Sequence, residues 1–335
     1  MIKTESVLIQ NLIVPCFNKC RYCLLSWDGS LSGVEWERSI RFAKRFREGI
    51  INERPEVSVS FAFGYSMEHP NLLETVGLLK RIGSPQAEFL QCDGMRMRDE
   101  KECFKLVSDL KNAGVKHLNF TVYGDEDYHD RFAGRKSDHA LIIRMMRAAA
   151  EAGLEVSVGI PVTKENIVSI NDVINSLTDT LKIDKLSLFV PHEEGRGASL
   201  ASARLTEGDL TNISQDHAAM FNRNLFRPER EWVTGEFYKE ETKRAILISL
   251  YPENIDRYES MDPFDLLREI EGLDEAYYAA YPSFSELAEL YGDSDGTKLY
   301  RQRDLFYHYR KLYAADHSIN VYDVTDERFS GSRRY

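Results

Sequence analysis

Between Val7 and Val190, short β-rich runs alternate with amphipathic helical patterns, and this alternation constrains the fold more than any other feature. The runs Val7–Val14, Val57–Phe63, Ala87–Cys92, Leu118–Tyr123, Leu154–Ile160 and Lys185–Val190 are rich in Val, Ile, Leu and Phe and are closed by Gly, Pro, Asp or Cys. Helical stretches lie between them at roughly Val34–Glu48, Asn71–Ile82, Glu100–Ala113, Asp138–Ala152 and Ile167–Leu181. In the fourth of these, Ala140, Ile143, Met146 and Ala149 recur at helical period. Strand, helix, strand repeated at spacings of about 30 residues predicts right-handed βαβ units around a parallel sheet. The expected fold class is therefore α/β, a partial (β/α)6 TIM-type barrel over residues 1–204 that stops short of eightfold closure. From about Leu205 the character changes to helical, acidic and aromatic, so residues 205–335 are expected to form a mostly helical extension packing on the barrel. Within it Tyr277, Tyr278, Tyr281, Phe284, Leu287 and Tyr291 suit an aromatic packing layer.

Charge narrows the range of partners. With 43 Lys+Arg against 54 Asp+Glu the formal charge is -11, which argues against a chain whose main task is gripping nucleic acid. No apolar run approaches the ~18 residues of a transmembrane helix, and the N-terminal run is broken by Glu5, Gln10 and Asn11, unlike a signal peptide. A cytoplasmic location is the expectation, and there thiols stay reduced. The five cysteines then matter as ligands, since three of them, Cys16, Cys20 and Cys23, fall within eight residues.

These three thiols have the spacing Cys-x3-Cys-x2-Cys directly after the first predicted strand, on a loop at a strand's C-terminal end where barrel enzymes keep their chemistry. Three ligands are one too few for a closed structural zinc site or a fully protein-ligated cubane, and an open fourth position is what a catalytic metal centre needs. The competing readings are a zinc site completed by His69 or Cys92, and three unrelated core cysteines. The segment Cys16-Phe17-Asn18-Lys19-Cys20-Arg21-Tyr22-Cys23 resembles the hallmark Cys-x3-Cys-x-aromatic-Cys loop of the radical S-adenosylmethionine (radical SAM) superfamily, with Tyr22 as the aromatic residue. The resemblance implies a [4Fe-4S] cluster held by Cys16, Cys20 and Cys23, with S-adenosylmethionine on the open iron. Reductive cleavage of that cofactor would give a 5′-deoxyadenosyl radical that abstracts a hydrogen atom from substrate.

The same resemblance implies roles at later strand ends. Phe63-Gly64-Tyr65 aligns with the family's Gly-Gly-Glu, giving backbone contacts from Phe63 and Gly64 and a place for Tyr65 near the methionine amino group, with Glu68 as the other candidate carboxylate. Thr121 is expected at the ribose and Arg135 at the carboxylate, while Tyr123 brings a hydroxyl near the radical. Ser157 and Asn166 are placed near the ribose and methionine ends, and the strand end at Val190 near adenine. His192, Glu193 and Arg196 cluster at the rim and are the expected substrate contacts, with Glu194 beside them. Cys92 is expected in the active-site mouth as a possible hydrogen donor, and Cys103 as a buried helix residue. No Cys follows position 103, which argues against auxiliary clusters within this sequence.

The resemblance is specific for the cofactor and not for the substrate; the expected function is a single-cluster radical enzyme acting on a small polar metabolite, such as a sugar, cyclitol or nucleoside-type compound, by dehydrogenation, epimerisation or rearrangement. A flavodoxin- or ferredoxin-type protein would supply the electron. Modification of a ribosomally made peptide is the alternative, and a non-catalytic Fe–S or Zn regulator a more distant one.

Overall fold

A computed structural model describes residues 3–11, 16–23, 33–62, 67–81, 87–193, 195–239 and 243–319. The barrel elements follow in chain order: β1 (Lys3–Asn11), α1 (Trp36–Glu53), β2 (Ser58–Ala62), α2 (Leu72–Arg81), β3 (Phe89–Gln91), α3 (Glu100–Ala113), β4 (His117–Thr121), α4 (Glu126–Ala133), α5 (Asp138–Glu151), β5 (Glu155–Pro161), α6 (Ile170–Thr180) and β6 (Lys185–Phe189). All the ladders among these strands are parallel, in the orders β2-β1 and β3-β4-β5-β6. Among the described residues β2 and β3 share no ladder, so the sheet is open there, as a partial barrel permits.

Period-two alternation assigns the two faces. Leu118 and Phe120 of β4 and Val156, Val158 and Ile160 of β5 are buried in the main core with Leu141, Met145 and Ala149 of α5. On the other half, Ile9, Val59 and Phe61 share one crevice with Ile40, Ala43 and Leu78 from the helical layer. The intervening residues, Gln10, Gln91, Asn119, Thr121 and Ser157, turn to the opposite, inner face. Burial of one apolar face against the helices thus leaves a polar interior, in contrast to the branched apolar layers that fill a closed barrel.

The C-terminal region adds a structural strand that its sequence was not expected to contain. Its elements are β7 (Arg227–Pro228), α7 (Glu229–Val233), β8 (Lys243–Leu250), α8 (Ile255–Ser260), α9 (Pro263–Ala279), α10 (Phe284–Tyr291), β9 (Leu299–Tyr300) and α11 (Gln302–His317). β8 pairs in parallel with β1, with Ile9 beside Ile248 and Gln10 beside Ser249, so the order becomes β2-β1-β8 and β1 is an interior strand. Ile246, Ile248 and Leu250 join the main core, and α9, capped by Asp262 with Pro263 in its first turn, packs on α1. Aromatic side chains pack on one another here: Tyr277, Phe284 and Leu287 are buried, and the Arg310 guanidinium lies 4.9 Å from the Tyr277 ring, 4.6 Å from Tyr278 and 3.6 Å from Phe306.

Candidate active site

The cysteine loop is held by backbone hydrogen bonds to three later loops. Phe17 N donates to Gly94 O (3.0 Å) beyond β3, Lys19 N to Ala133 O (2.8 Å) and Arg21 N to Phe132 O (3.0 Å) at the end of α4, and Arg196 N to Cys23 O (3.1 Å) beyond β6. Two glycines permit this close docking. At Gly94, with φ +62°, an added Cβ would stand 2.2 Å from Cys16 Sγ; at Gly134, with φ +68°, it would meet Lys19 Cβ at 3.0 Å and Lys19 O at 3.1 Å. Backbone contacts thereby fix the loop in register before any cofactor contributes.

A buried carboxylate anchors the loop from below. Asp138 Oδ2 accepts from Asn18 Nδ2 (2.9 Å) and lies 3.1 Å from His129 Nε2, while Oδ1 accepts from Arg135 (2.5 Å). His129 Nδ1 accepts from Tyr123 N (3.2 Å), and Arg135 also donates to the Met95 carbonyl. Burial alone would raise the Asp138 pKa, but His129, Arg135 and Asn18 hold it below the ordinary carboxylate value. Neither Asn18, His129 nor Asp138 was assigned a role from sequence, and the helix α4 that carries His129 is not among the helical stretches expected from it.

Above this anchor lies a row of hydroxyls leading from Cys20 to Asp93. Cys20 Sγ is 3.1 Å from Tyr123 Oη; the Tyr22 hydroxyl faces those of Tyr123 and Thr121 and can donate to one of them; and Thr121 Oγ1 donates to Asp93 Oδ2 (3.1 Å). Gln91 Nε2 (2.6 Å) and Thr121 N (3.2 Å) complete the Asp93 shell. Burial nonetheless dominates and pushes the Asp93 carboxyl up to about 6. A folded-state pKa above the unfolded value stabilises the fold below the unfolded pKa, near 3.8, and that contribution is lost as pH rises through about 6. Asp93→Asn is therefore expected to make the metal-free protein more stable than wild type at pH 8, by on the order of 1–3 kcal/mol. The advantage should vanish near pH 4 in denaturant titrations; an equal gain at both pH values contradicts it.

The inner face continues the polar row along β3, β4 and β5. Asn119 Nδ2 donates to Gln91 Oε1 (2.5 Å), Ser157 Oγ donates to Asn119 Oδ1 (2.6 Å), and Ser157 Oγ lies 2.6 Å from His117 Nε2. Gln91, Asn119 and His117 stay partly exposed while every one of them is hydrogen-bonded. Only Ser157 of this set was singled out from sequence, although the i, i+2 alternation in His117-Leu118-Asn119-Phe120-Thr121 carries the signal.

Other expected site residues fall in different places. Cys92 is fully buried on the helix-facing side with Leu90, its thiol donating to Leu90 O (3.7 Å), so it is a core residue and not a hydrogen donor at the mouth. The alternation that turns Gln91 inward turns Cys92 outward. Asn166 is spent on backbone, donating to Tyr123 O (2.8 Å) and Pro161 O (2.9 Å) and accepting from Thr163 N (2.8 Å). Val190 is buried at the end of β6, and Glu68 makes a paired contact with Arg98 at 2.5 and 2.9 Å. His192 contacts Asp304 of α11 (2.9 Å), Glu193 is held by Arg204, and Arg204 also donates to Leu299 O (2.7 Å). Of the rim residues expected to meet substrate, His192 thus ties the barrel to α11 and Glu193 is taken up by Arg204, while Arg196 meets the cysteine loop through its backbone N. Phe63, Gly64, Tyr65 and Glu194 lie outside the described residues.

Cys16, Cys20 and Cys23 are not joined in disulfides. Burial pushes Cys16 up to about 11 and Cys20 higher, and the neighbouring cysteines and Asp93 add to both shifts. Such a set is poorly suited to remain as bare thiolates and well suited to a cationic centre, which reverses the shift. Among the described residues no three His, Cys, Asp or Glu side chains form a site for a single metal ion. Each thiolate of a cubane binds its own iron, so convergence on one ion is not what an iron–sulfur cluster requires. His69 packs against the Trp36 ring at 4.8 Å and Cys92 faces the core, which leaves the zinc alternative without either proposed fourth ligand.

An open parallel barrel with three thiols on its first strand-end loop defines an enzyme scaffold for a thiolate-ligated cluster. The profile of the radical SAM superfamily matches residues 11–177, and the chain belongs to that superfamily, whose cofactors are a [4Fe-4S] cluster and S-adenosylmethionine. Similar solved structures include coproporphyrinogen III oxidase from Escherichia coli (14% identity, TM-score 0.42, 75% of this chain and 64% of that one). Methylornithine synthase (14%, 0.42, 63% and 61%) and anSMEcpe with bound AdoMet (19%, 0.40, 62% and 58%) are also similar. This chain therefore matches less than two thirds of the length of each. No curated protein matches it.

Proposed function

We propose that this chain is a radical SAM enzyme acting on a small, neutral, polar metabolite of sugar, cyclitol or nucleoside type, by dehydrogenation, epimerisation or rearrangement. When bound and reduced, the cofactor pair supplies a 5′-deoxyadenosyl radical able to abstract a hydrogen atom from substrate carbon. Cys16, Cys20 and Cys23 would hold the cluster, and the surrounding hydrogen bonds keep their loop in place. Thr121 and Ser157 are candidates for the ribose. Arg135 and Asn166 act one step removed, by ordering Asp138 and Tyr123.

The observation that carries the substrate class is the row of amides and a hydroxyl, Gln91–Asn119–Ser157, on the inner face. Amides and hydroxyls that already satisfy one another offer further donors and acceptors without a fixed charge, which suits a polyol or nucleoside better than an ionic group. Electrons would come from a flavodoxin- or ferredoxin-type donor in the cytoplasm.

With a deuterated substrate of this class, deuterium should appear in 5′-deoxyadenosine, and Asn119→Ala should raise the half-saturating substrate concentration about tenfold, the equivalent of ~1.4 kcal/mol. A screen in which only basic peptides stimulate 5′-deoxyadenosine formation would favour peptide modification and sink this substrate class.

A further inference from the structure

We propose that Tyr123 is a positioning residue for the cluster's redox equilibrium: its hydroxyl donates to Cys20 Sγ and, backed by Tyr22, Thr121 and Asp93, stabilises the reduced cluster. The inference rests on the reading of Cys20 as a cluster ligand. Its geometry comes from the chain itself. The Tyr123 hydroxyl lies 3.1 Å from Cys20 Sγ, and a thiolate sulfur can only accept, so the phenol is the donor.

The phenol is held from every side. Its ring stacks on Phe132 (4.7 Å between centroids), meets Tyr22 edge-on (5.6 Å) and lies 4.8 Å from His129. Its backbone N donates to His129 and its carbonyl accepts from Asn166. With 2% of its surface exposed, Tyr123 has neither water to compete for the bond nor room to turn away. This donor therefore reaches Cys20 without reorganisation.

One-electron reduction by an external reductant adds negative charge that spreads onto the ligating sulfurs, and a donor aimed at one of them favours the reduced state. Loss of the donor moves the midpoint potential downward. The hydroxyls of Tyr22 and Thr121 sit behind Tyr123, so their removal acts in the same direction with smaller effect. The same commitment to Cys20 takes the Tyr123 hydroxyl away from a role as hydrogen donor to a substrate radical.

The test is an anaerobic redox titration of reconstituted protein without substrate, read from the electron paramagnetic resonance signal of the reduced cluster. Tyr123→Phe keeps the packed ring and deletes only the donor. Its reduction equilibrium constant is expected to fall about tenfold, a shift of roughly 59 mV to more negative potential for one electron, with iron content unchanged. Tyr22→Phe should shift it in the same direction by less. An unchanged or more positive midpoint in Tyr123→Phe overturns the proposal. Should that variant fail to retain iron, Tyr22→Phe decides by the same criterion. Wild-type iron content in Cys20→Ala would overturn the ligand reading itself, a failure distinct from that of the hydrogen bond.

Discussion

Cys20→Ala should reduce cluster iron to less than about a tenth of wild type after anaerobic reconstitution, because each of three thiolates would hold one iron of the cubane and loss of one leaves two irons without a protein ligand. Cys20 lies at the centre of the site, within reach of Tyr123 and flanked along the chain by Cys16 and Cys23. The fold should survive the change. The loop's backbone bonds to Gly94, Phe132 and Ala133 involve no thiol, and Asn18 remains tied to Asp138. Circular dichroism and the unfolding midpoint of the metal-free protein should therefore stay close to wild type while iron and sulfide disappear. A variant that unfolds, or one that retains full iron, contradicts this assignment.

Gly94→Ala should be nearly as damaging, although it replaces no ligand. The new Cβ would stand 2.2 Å from Cys16 Sγ and 3.4 Å from Cys16 Cα, and the residue must also keep φ +62°. The backbone conformation alone costs about 1 kcal/mol for a residue with a side chain. The steric conflict adds to this and can be relieved only by moving Cys16 or breaking the Phe17–Gly94 hydrogen bond. Iron incorporation is expected to fall at least about tenfold, comparable to losses seen when groups that orient metal ligands are removed. Asp93→Asn, in the adjacent position, should retain iron by comparison. Wild-type iron loading in Gly94→Ala would show that the loop accommodates the methyl and that its register is not fixed there.

The barrel was legible because apolar runs and helical periods alternate over a long stretch, and the cysteine spacing was legible because all three residues share one loop. What escaped was set by contacts between distant segments. β8, in Ala245-Ile246-Leu247-Ile248-Ser249-Leu250, is a short continuous apolar run that periodicity cannot separate from a buried helical turn, and it lies within an acidic, aromatic region that reads as helical. Only its pairing with β1 makes it a strand. Helix α4 escaped because Glu126-Asp127-Tyr128-His129-Asp130-Arg131 is polar, and its helicity rests on the Asp125 cap and on burial of His129, Phe132 and Ala133. Cys92 was placed at the mouth from its position at a strand end, whereas alternation turns it outward. His192 and Glu193 bear the right chemistry for substrate contacts, but their partners Asp304 and Arg204 are invisible without the fold. Asp93 and Asp138 are ordinary carboxylates in sequence, and their importance arises from burial and from the loops they join.

The central claim is that Cys16, Cys20 and Cys23 assemble one radical-generating cluster, and it is tested most directly by incubating reconstituted, reduced protein with S-adenosylmethionine and measuring 5′-deoxyadenosine alongside metal content. The account predicts iron and sulfide near four of each per chain, as one [4Fe-4S] cluster requires. It also predicts 5′-deoxyadenosine formation in wild type and none in Cys20→Ala. Stoichiometric zinc without iron, or an intact cluster that yields no 5′-deoxyadenosine on reduction, would contradict it.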